Sequence, residues 1–233
     1  MALATWWTSD PLIDLTPLSG FHVALAADDA QLAALNHITV AEVEQRRCAG
    51  HLPYVGYMDG TAVTYGWVAT REASIGELNL VFPIATESRY LWDFATLPHW
   101  QGKGLYPRLL QAIVQVEQAE RFWIIHAPEN LPSGAGIQKA GFQAVGQLSF
   151  QRDNSLGLIP FDLPERARIG AALLGVPVIE SGLSPCWRCV ERVVCTCQRD
   201  PESCSCAVEI RSAPTTIPDV GYDTTPSHQL LWG

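Results

Sequence analysis

Two glycines flank a lysine near the middle of the chain, in the segment Gln101–Tyr106, which reads Gln-Gly-Lys-Gly-Leu-Tyr. The apolar run Tyr90–Thr96 before it predicts a strand, and apolar residues at helical spacing after it predict a helix from about Leu105 to Glu120. Glycines let the backbone approach a ligand closely, and the first N–H groups of a helix are unpaired and carry the positive end of its dipole. This layout favours a bound phosphate group, although taken alone it also fits a tight strand-to-helix turn.

The residues around this loop resemble the acetyl-CoA-binding motif of the GCN5-related N-acetyltransferases, the GNAT superfamily. The family pattern is Arg/Gln-x-x-Gly-x-Gly/Ala with a proline three residues before the Arg/Gln, and Pro98, Gln101 and Gly104 match it. Tyr106 departs from the pattern, because the family has a small residue at that place. A tyrosine still offers its backbone N–H, but its ring is expected to reshape the pocket.

A second stretch, Asn130–Phe142, resembles the family segment Asn-x-x-Ala…Tyr-Glu-Lys-x-Gly-Phe. The matching residues are Asn130, Lys139, Gly141 and Phe142, while Ser133 replaces the alanine and Ile137 stands where the family has its tyrosine. The two motifs follow each other in the family's order, and the resemblance covers about residues 21–152. It implies an α/β protein of the GNAT acyl-CoA N-acyltransferase fold, with a mixed sheet and crossover helices.

The same resemblance implies direct transfer of an acyl group, in the first place acetyl, from acyl-CoA to an amine. The pantetheine arm is then expected to pair with the backbone of Phe94 and Thr96, as an added strand does. The pyrophosphate is expected on the N–H groups of Gly102–Tyr106. Lys103 and Arg108 could add positive charge there, or could be solvated side chains. The cofactor-binding residues so implied are Phe94, Thr96, Gln101, Gly102, Lys103, Gly104, Leu105, Tyr106, Asn130 and Ser133.

The acceptor amine must be neutral to attack. Deprotonating a lysine-like amine at pH 7 costs about 4.6 kcal/mol, and an α-amine only about 1 kcal/mol, so the need for a base depends on the substrate. Candidate bases are Asp93, Glu77, His99 and Glu129. Asp93 stands out as the lone charge in an apolar strand, where it could equally be a structural carboxylate. His126 ends a buried strand and is interpreted as a satisfied polar residue.

The leaving thiolate benefits from a proton donor, although its ordinary pKa near 8.5 makes one dispensable. Ile137 cannot supply a proton. Asn130 or Ser133 could hydrogen-bond the thiol region, Tyr106 could replace the missing donor, or solvent could protonate the sulfur. The predicted catalytic residues are therefore Asp93, Tyr106 and Asn130.

Periodicity and turn residues predict the remaining elements. Upstream, they indicate a strand at Phe21–Ala26, helices from Asp28 or Asp29 to Asn36 and over Val40–Ala49, hairpin strands His51–Met58 and Thr61–Thr70 around Asp59-Gly60, and a strand at Leu78–Ile84. Downstream, they indicate a strand at Phe122–His126, a helix at Pro132–Ala140 and a last strand at Phe142–Arg152. Outside this domain we expect an irregular N-terminal extension (1–20), a helix at Pro164–Leu174 followed by a linker (153–184), a cysteine-rich module (185–206) and a poorly ordered tail (207–233).

Six of the seven cysteines lie close together, as Cys186-x2-Cys189-x5-Cys195-x-Cys197-x6-Cys204-x-Cys206. Four such thiolates could hold one structural zinc ion, or all six could share two metals. An iron–sulfur cluster, disulfides or free thiols are the alternatives. A segment with so few large apolar residues needs a metal or cross-links to fold by itself.

The formal net charge of −9 disfavours a binder of nucleic acid or of anionic membranes. The chain shows neither a signal-peptide pattern nor an apolar run long enough to cross a membrane, so we expect a cytoplasmic protein. The expected partner is a small-molecule or peptide amine, and a homodimer is possible. The alternative function is a catalytically inactive CoA-binding or protein-interaction module that docks through its cysteine-rich segment.

Overall fold

The computed structural model describes residues 1–128, 130–151, 153, 155–183 and 209–211. The strands are β1 (Ala2–Trp7), β2 (Phe21–Leu25), β3 (His51–Met58), β4 (Thr61–Ala69), β5 (Glu72–Ile75), β6 (Leu80–Pro83), β7 (Ser88–Thr96), β8 (Arg121–His126), β9 (Gln143–Phe150), β10 (Leu156–Pro160), β11 (Ser181–Leu183) and β12 (Glu209–Arg211). The α-helices are α1 (Asp29–Asn36), α2 (Val40–Cys48), α3 (Leu105–Val116), α4 (Leu131–Lys139) and α5 (Pro164–Leu174).

The main sheet has the order β12-β11-β9-β1-β8-β7-β4-β3-β2, with β10 beside β9. The pair β7–β8 is parallel and the other strand pairs are antiparallel, so the expected mixed α/β sheet is confirmed. Helix α3 makes the crossover between the two parallel strands, as parallel pairing requires. The predicted hairpin turn at Asp59-Gly60 is also present, and both residues have the positive φ that such a turn demands.

The helices cover opposite faces of this sheet. Trp67 packs with α1 and α2, whereas its neighbour Val68 packs with α3 and α4, as alternation along a strand dictates. Asp28 and Thr39 cap α1 and α2 by accepting hydrogen bonds from Gln31 N and Glu42 N. One predicted bound differs: α3 ends at Val116 rather than near Glu120, because its C-cap residue Glu117 is extended.

The first twenty residues are not the irregular extension that the sequence suggested. Residues 2–7 form β1, which lies inside the sheet between β8 and β9. Leu3 and Thr5 are fully buried, and the Thr5 hydroxyl donates to the Phe122 carbonyl. The prolines and aspartates that follow β1 hid a short strand that is mostly apolar on both faces, as is typical of a strand inside a sheet whose two faces are covered.

The sheet also extends beyond the predicted end of the domain at residue 152. β10 pairs with β9 over its whole length, and α5 packs its buried face on the same core. The strand expected at Leu78–Ile84 is instead one arm of a small separate hairpin, β5–β6. The described folded unit therefore includes both β1 and α5, outside the limits 21–152 that the family motifs indicated.

An ion pair between Arg166 of α5 and Asp10 joins this helix to the segment after β1. Both guanidinium nitrogens of Arg166 donate to the carboxylate, at 2.6 and 2.7 Å, and Asp10 also accepts from Trp7 N. Burial alone would raise the pKa of Asp10, but these hydrogen bonds outweigh it and hold the pKa below its ordinary value. The pair therefore stabilises the fold at neutral pH and loses this contribution as the pH falls below about 4.

Replacing Arg166 with leucine is expected to lower the free energy of unfolding by about 2–3 kcal/mol at pH 7, because the buried Asp10 carboxylate loses its partner. Urea unfolding at pH 7 and at pH 3 checks this, and the difference from wild type should shrink at the lower pH, where unpaired Asp10 takes up a proton. Arg168→Leu removes an exposed arginine of the same helix and should change stability far less. Equal losses in the two variants would contradict the assignment.

Candidate functional site

The strands β7 and β8 diverge in the middle of the sheet. Their parallel pairing runs only from Ser88 to Leu91 of β7, opposite Arg121 to Ile124. The end of β8 stays paired with β1 on its other side. Among the described residues, the edge of β7 from Trp92 to Thr96 therefore has no partner strand on the β8 side. We call this open edge, together with the loop that follows β7, the slot.

A β-bulge interrupts β7 within the slot. Trp92 is paired with Trp67 and Ala95 with Tyr65, so that two β7 residues, Asp93 and Phe94, oppose the single residue Gly66. A bulge frees a backbone group from the ladder and re-aims the chain. The ring of Phe94 covers Gly66 so closely that a Cβ on the glycine would lie 2.0 Å from it. Glycine at position 66 is thus a condition for the bulge.

The glycine loop closes the slot at the N-terminus of α3. Gly102 and Gly104 have φ of 74° and 70°, in the left-handed region that favours glycine. No side chain caps α3, so its first N–H groups are not bound by a cap. The Gln101 amide donates to the Thr96 carbonyl at 3.1 Å and ties the loop to the end of β7. The predicted pyrophosphate-binding residues therefore form one continuous surface with the open strand edge.

The two cations predicted beside the loop differ in their surroundings. Lys103 is exposed, and its ammonium lies 4.3 Å from the centre of the Trp100 ring. The Arg108 guanidinium instead donates to the carbonyls of Gly104 and Thr16, at 2.7 and 2.6 Å. Arg108 therefore stabilises the loop and the segment after β1, and Lys103 is the cation that the loop offers to solvent.

Helix α3 brings Tyr106 against the start of α4. Its ring lies 5.6 Å from that of Phe94 and packs on Gly136, where a Cβ would approach it to 2.5 Å. Burial raises the pKa of Tyr106 to about 12, an effect that a hydrogen bond with Ser133 opposes. Three predicted residues, Phe94, Tyr106 and Ser133, thus meet at one place beside the slot.

The second motif supplies the beginning of α4. The Asn130 side chain caps this helix by accepting from Ser133 N at 3.1 Å. Ile137, which stands where the family has a tyrosine, is buried in the core with α3. A hydroxyl at the α3–α4 contact is therefore contributed by Tyr106 rather than by position 137.

Asp93 is held in place from the opposite face of the sheet. Its φ is +51°, which is unusual for a residue other than glycine. Its carboxylate accepts from Arg46 of α2 at 2.5 Å and from Asn36 of α1 at 3.3 Å. Asn36 in turn bonds the Tyr65 hydroxyl and the Trp67 indole, each at 2.7 Å. The carboxylate is thus part of a structural network at the bulge.

Arg46 is the centre of that network. Its guanidinium carbon lies 5.1 Å from the Trp67 ring and 4.7 Å from the Trp92 ring, and it also pairs with Glu42 at 2.7 Å. We call Arg46, Trp67, Trp92 and Asp93 the clamp. No motif in the sequence predicts these contacts, because they join residues of α2, β4 and β7 that are far apart in the chain.

A cavity of about 570 Å³ lies beside the clamp, between α2 and the sheet. It is lined by Thr39, Ala41, Glu42, Gln45, Arg46, Ala49, His51 and Trp92. The Trp92 indole donates to His51 Nδ1 at 3.0 Å. Burial and the neighbouring Arg46 lower the pKa of His51 below its ordinary value. Sequence reasoning did not single out this site.

The other candidate bases do not lie together at one place in the fold. Glu77 is exposed in the turn between β5 and β6, His99 is exposed in the turn after β7, and Glu129 lies outside the described residues. His126, at the end of β8, has its Nδ1 2.9 Å from the Ala127 carbonyl, and burial lowers its pKa. A Cβ on Gly134 would lie 2.9 Å from its ring, so His126 packs against the start of α4.

The predicted metal ligands, Cys186 to Cys206, lie outside the described residues, and zinc binding stays a prediction. Within the part of the chain that the structure describes, no group of three or more histidine, cysteine, aspartate or glutamate side chains could hold a metal ion. In the same part, no helix has the length and apolar character needed to span a membrane.

No protein-family model matches the chain, and no curated protein does so either. Solved structures do match, and several are GNAT acetyltransferases. A GCN5-related N-acetyltransferase from Kribbella flavida matches with 17% identity and a TM-score of 0.43, over 61% of this chain and 53% of that one. This chain thus spans about half the length of that protein.

Two further matches are to aminoglycoside acetyltransferases. AAC(6')-Iy in complex with CoA is 16% identical, with a TM-score of 0.46, over 59% of this chain and 97% of that chain. The aminoglycoside antibiotic 6'-N-acetyltransferase AAC(6')-IG from Acinetobacter haemolyticus is 19% identical, with a TM-score of 0.39, over 52% and 90%.

Proposed function

We propose that this chain is an acyl-CoA-dependent N-acyltransferase that binds its acyl donor in the slot and transfers the acyl group directly to an amine. One observation carries the proposal: β7 loses its partner strand at Trp92, and its open edge leads without interruption into the Gly102–Gly104 loop at the start of α3. A strand edge suits the amides of pantetheine, and a glycine-lined helix start suits a pyrophosphate. The residues present therefore fit acyl-CoA.

The cofactor-binding residues of β7 and of the glycine loop act mainly through their backbone. The backbone of Phe94 and Thr96 pairs with the pantetheine arm. The N–H groups of the Gly102–Tyr106 loop hold the pyrophosphate, and the exposed Lys103 ammonium adds positive charge. Pro107, which lacks an N–H, is the third residue of α3 and confines the donors to the residues before it.

The thioester of the donor supplies an acyl carbon that a neutral amine can attack. The nitrogen forms a bond to that carbon, the carbon–sulfur bond breaks, and the proton lost by the amine ends on the sulfur. A backbone N–H group freed from the ladder at the bulge around Asp93 stabilises the negative charge that develops on the carbonyl oxygen. We assign Asp93 a positioning role, because its carboxylate is engaged by Arg46 and Asn36.

Tyr106 is the proton donor that we propose for the leaving thiolate. With a pKa of about 12 its hydroxyl stays protonated throughout the working range of pH, and Ser133 orients it. Asn130 contributes by capping α4 and so fixing Ser133.

Tyr106→Phe is expected to lower kcat about tenfold and to leave the KM for acetyl-CoA unchanged, since only the proton donor is lost. Because Tyr106 titrates above the accessible range, this factor should stay constant from pH 6 to pH 9. Steady-state kinetics across that range provides the measurement. Tyr57→Phe, which removes an exposed hydroxyl that bonds Gln31, is the control. An unchanged kcat in Tyr106→Phe would show that solvent protonates the thiolate.

The proposed function is tested by incubating the protein with acetyl-CoA and a pooled set of amines while free thiol is followed. Amine-dependent release of thiol is the expected result. Binding of CoA in a calorimeter without thiol release from any amine would favour the inactive binding module instead. The absence of CoA binding would refute both functions and leave the loop as a turn.

A further inference from the structure

The cavity beside the clamp adjoins the slot from the other side of the sheet. Trp92 lines the cavity and immediately precedes the bulge residue Asp93, while Arg46 both lines the cavity and binds the Asp93 carboxylate. The cavity is on the face that carries α2, whereas α3 and its glycine loop lie on the opposite face. A molecule in the cavity therefore approaches the bulge without crossing the path of the acyl donor.

Glu42 and Arg46, which line the cavity, together with Asp93, which pairs with Arg46 from the bulge, carry one net negative charge. Arg46 is the only cation among the lining residues, and it is paired with both Glu42 and Asp93. Glu42 uses its Oε1 for Arg46, and its side chain is 43% exposed. Glu42 lines the cavity, and its other carboxylate oxygen has no hydrogen-bond partner among the described residues. This arrangement favours a cationic ligand.

His51 adds a neutral hydrogen-bonding group. Its Nδ1 accepts from the Trp92 indole, so the proton of the neutral ring is on Nε2. His51 is therefore suited to donate a hydrogen bond at Nε2 and is not set up to take a proton from an amine there.

An amine bound at Glu42 is a poor nucleophile. A carboxylate neighbour stabilises the ammonium form and raises its pKa, whereas the amine that attacks a thioester must be neutral. The group that Glu42 holds and the group that reacts must therefore be two different amines. The reacting amine has to lie closer to the bulge than the amine that Glu42 binds.

Resting on the proposed function, we infer that the cavity binds the acceptor and that the acceptor is a small molecule with at least two amino groups. One of them, as an ammonium, pairs with Glu42, and the other is acylated beside the bulge. The acylated nitrogen exchanges a hydrogen for the acyl group, and that hydrogen ends on the thiol of CoA. The second ammonium is unchanged by the reaction.

The test compares 1,5-diaminopentane with 1-aminopentane, which differ in the second amino group, with acetyl-CoA as donor. The wild-type kcat/KM is expected to be at least tenfold higher for the diamine, and added salt should reduce this preference by screening the half-exposed Glu42. Glu42→Gln should raise the KM for the diamine about tenfold and bring the ratio of the two kcat/KM values close to one, because any loss that passes through Arg46 affects both amines alike. Glu44→Gln makes the same charge change on the same helix, at an exposed position that does not line the cavity, and should behave as wild type.

Equal kcat/KM values for the two amines, or a diamine KM that is unaffected by Glu42→Gln, would overturn the inference while leaving the acyltransferase proposal intact. A chain that binds acetyl-CoA in a calorimeter but acylates neither compound would overturn the inference as well. Failure to bind acetyl-CoA at all is a separate result, which would refute the proposed function itself. Thermal unfolding of Glu42→Gln, which also loses the Arg46 pair, shows whether α2 stays in place.

Discussion

Gly104→Val is expected to weaken the binding of acetyl-CoA at least 100-fold, or by about 2.7 kcal/mol. Gly104 has a φ of 70°, which a β-branched residue does not tolerate, and an added Cβ would lie 2.7 Å from the Arg108 Nη1. To relieve both problems the loop must move, and the N–H groups at the start of α3 move with it. Isothermal titration with acetyl-CoA measures the loss.

Gly60→Val is the matched control for this variant. Gly60 has a similar positive φ, 81°, but lies in the β3–β4 hairpin turn with no atom near its Cβ position. Both variants are expected to lose stability, by about 1–2 kcal/mol from the backbone strain alone, and only Gly104→Val should lose affinity for the donor. An affinity loss of the same size in Gly60→Val would mean that the effect comes from general destabilisation, and undiminished affinity in Gly104→Val would remove the loop from the site.

Substitutions of Asp93 are expected to separate a positioning role from a role as base. Glycine adopts a φ of +51° without strain, and asparagine does so more easily than most residues. Asp93→Gly and Asp93→Asn should therefore retain kcat within about threefold, whereas Asp93→Ala should lose about 30-fold, because alanine is strained by 1–3 kcal/mol in this conformation. If the carboxylate removes the proton from the acceptor, all three variants should lose kcat alike.

The positioning role of Asp93 can also be tested through Arg46, its partner in the clamp. Arg46→Lys keeps the charge but loses the planar guanidinium that reaches both indole rings and Asp93 together. Its kcat should fall in the wild-type background and fall much less in the Asp93→Gly background, where the bulge no longer depends on the carboxylate. Equal losses of kcat in both backgrounds would show that Arg46 acts elsewhere.

The local backbone structure around the glycine loop was predicted well. Glycines with positive φ, the strand before them and the helix after them are properties of neighbouring residues, so Gly102, Gly104 and α3 were placed correctly. The helix start at Asp28 or Asp29, the helix from Val40 and the hairpin at Asp59-Gly60 belong to the same class. Asp93 was noticed as a lone charge in an apolar strand, but its left-handed φ could not be foreseen.

The parts that depend on contacts between distant segments could not be predicted. Nothing near Arg46 in the sequence indicates that it reaches Trp67, Trp92 and Asp93, because that contact exists only once α2 lies on the sheet. The cavity beside α2 has the same origin. β1 was missed because a single short apolar stretch is ambiguous until its neighbours in the sheet are known.

The position of β1 has a consequence for how the chain folds. Residues at its start pair with strands that begin more than a hundred residues later, and the Thr5 hydroxyl binds a carbonyl 117 residues away. Contacts between such distant segments are slow to form, because a large loop must close before they stabilise the chain. During synthesis, β1 is made long before β8 and β9, and it cannot pair with them until they have left the ribosome. Until both strands have been made, β1 has no partner in the sheet, and its apolar residues remain open to non-native contacts.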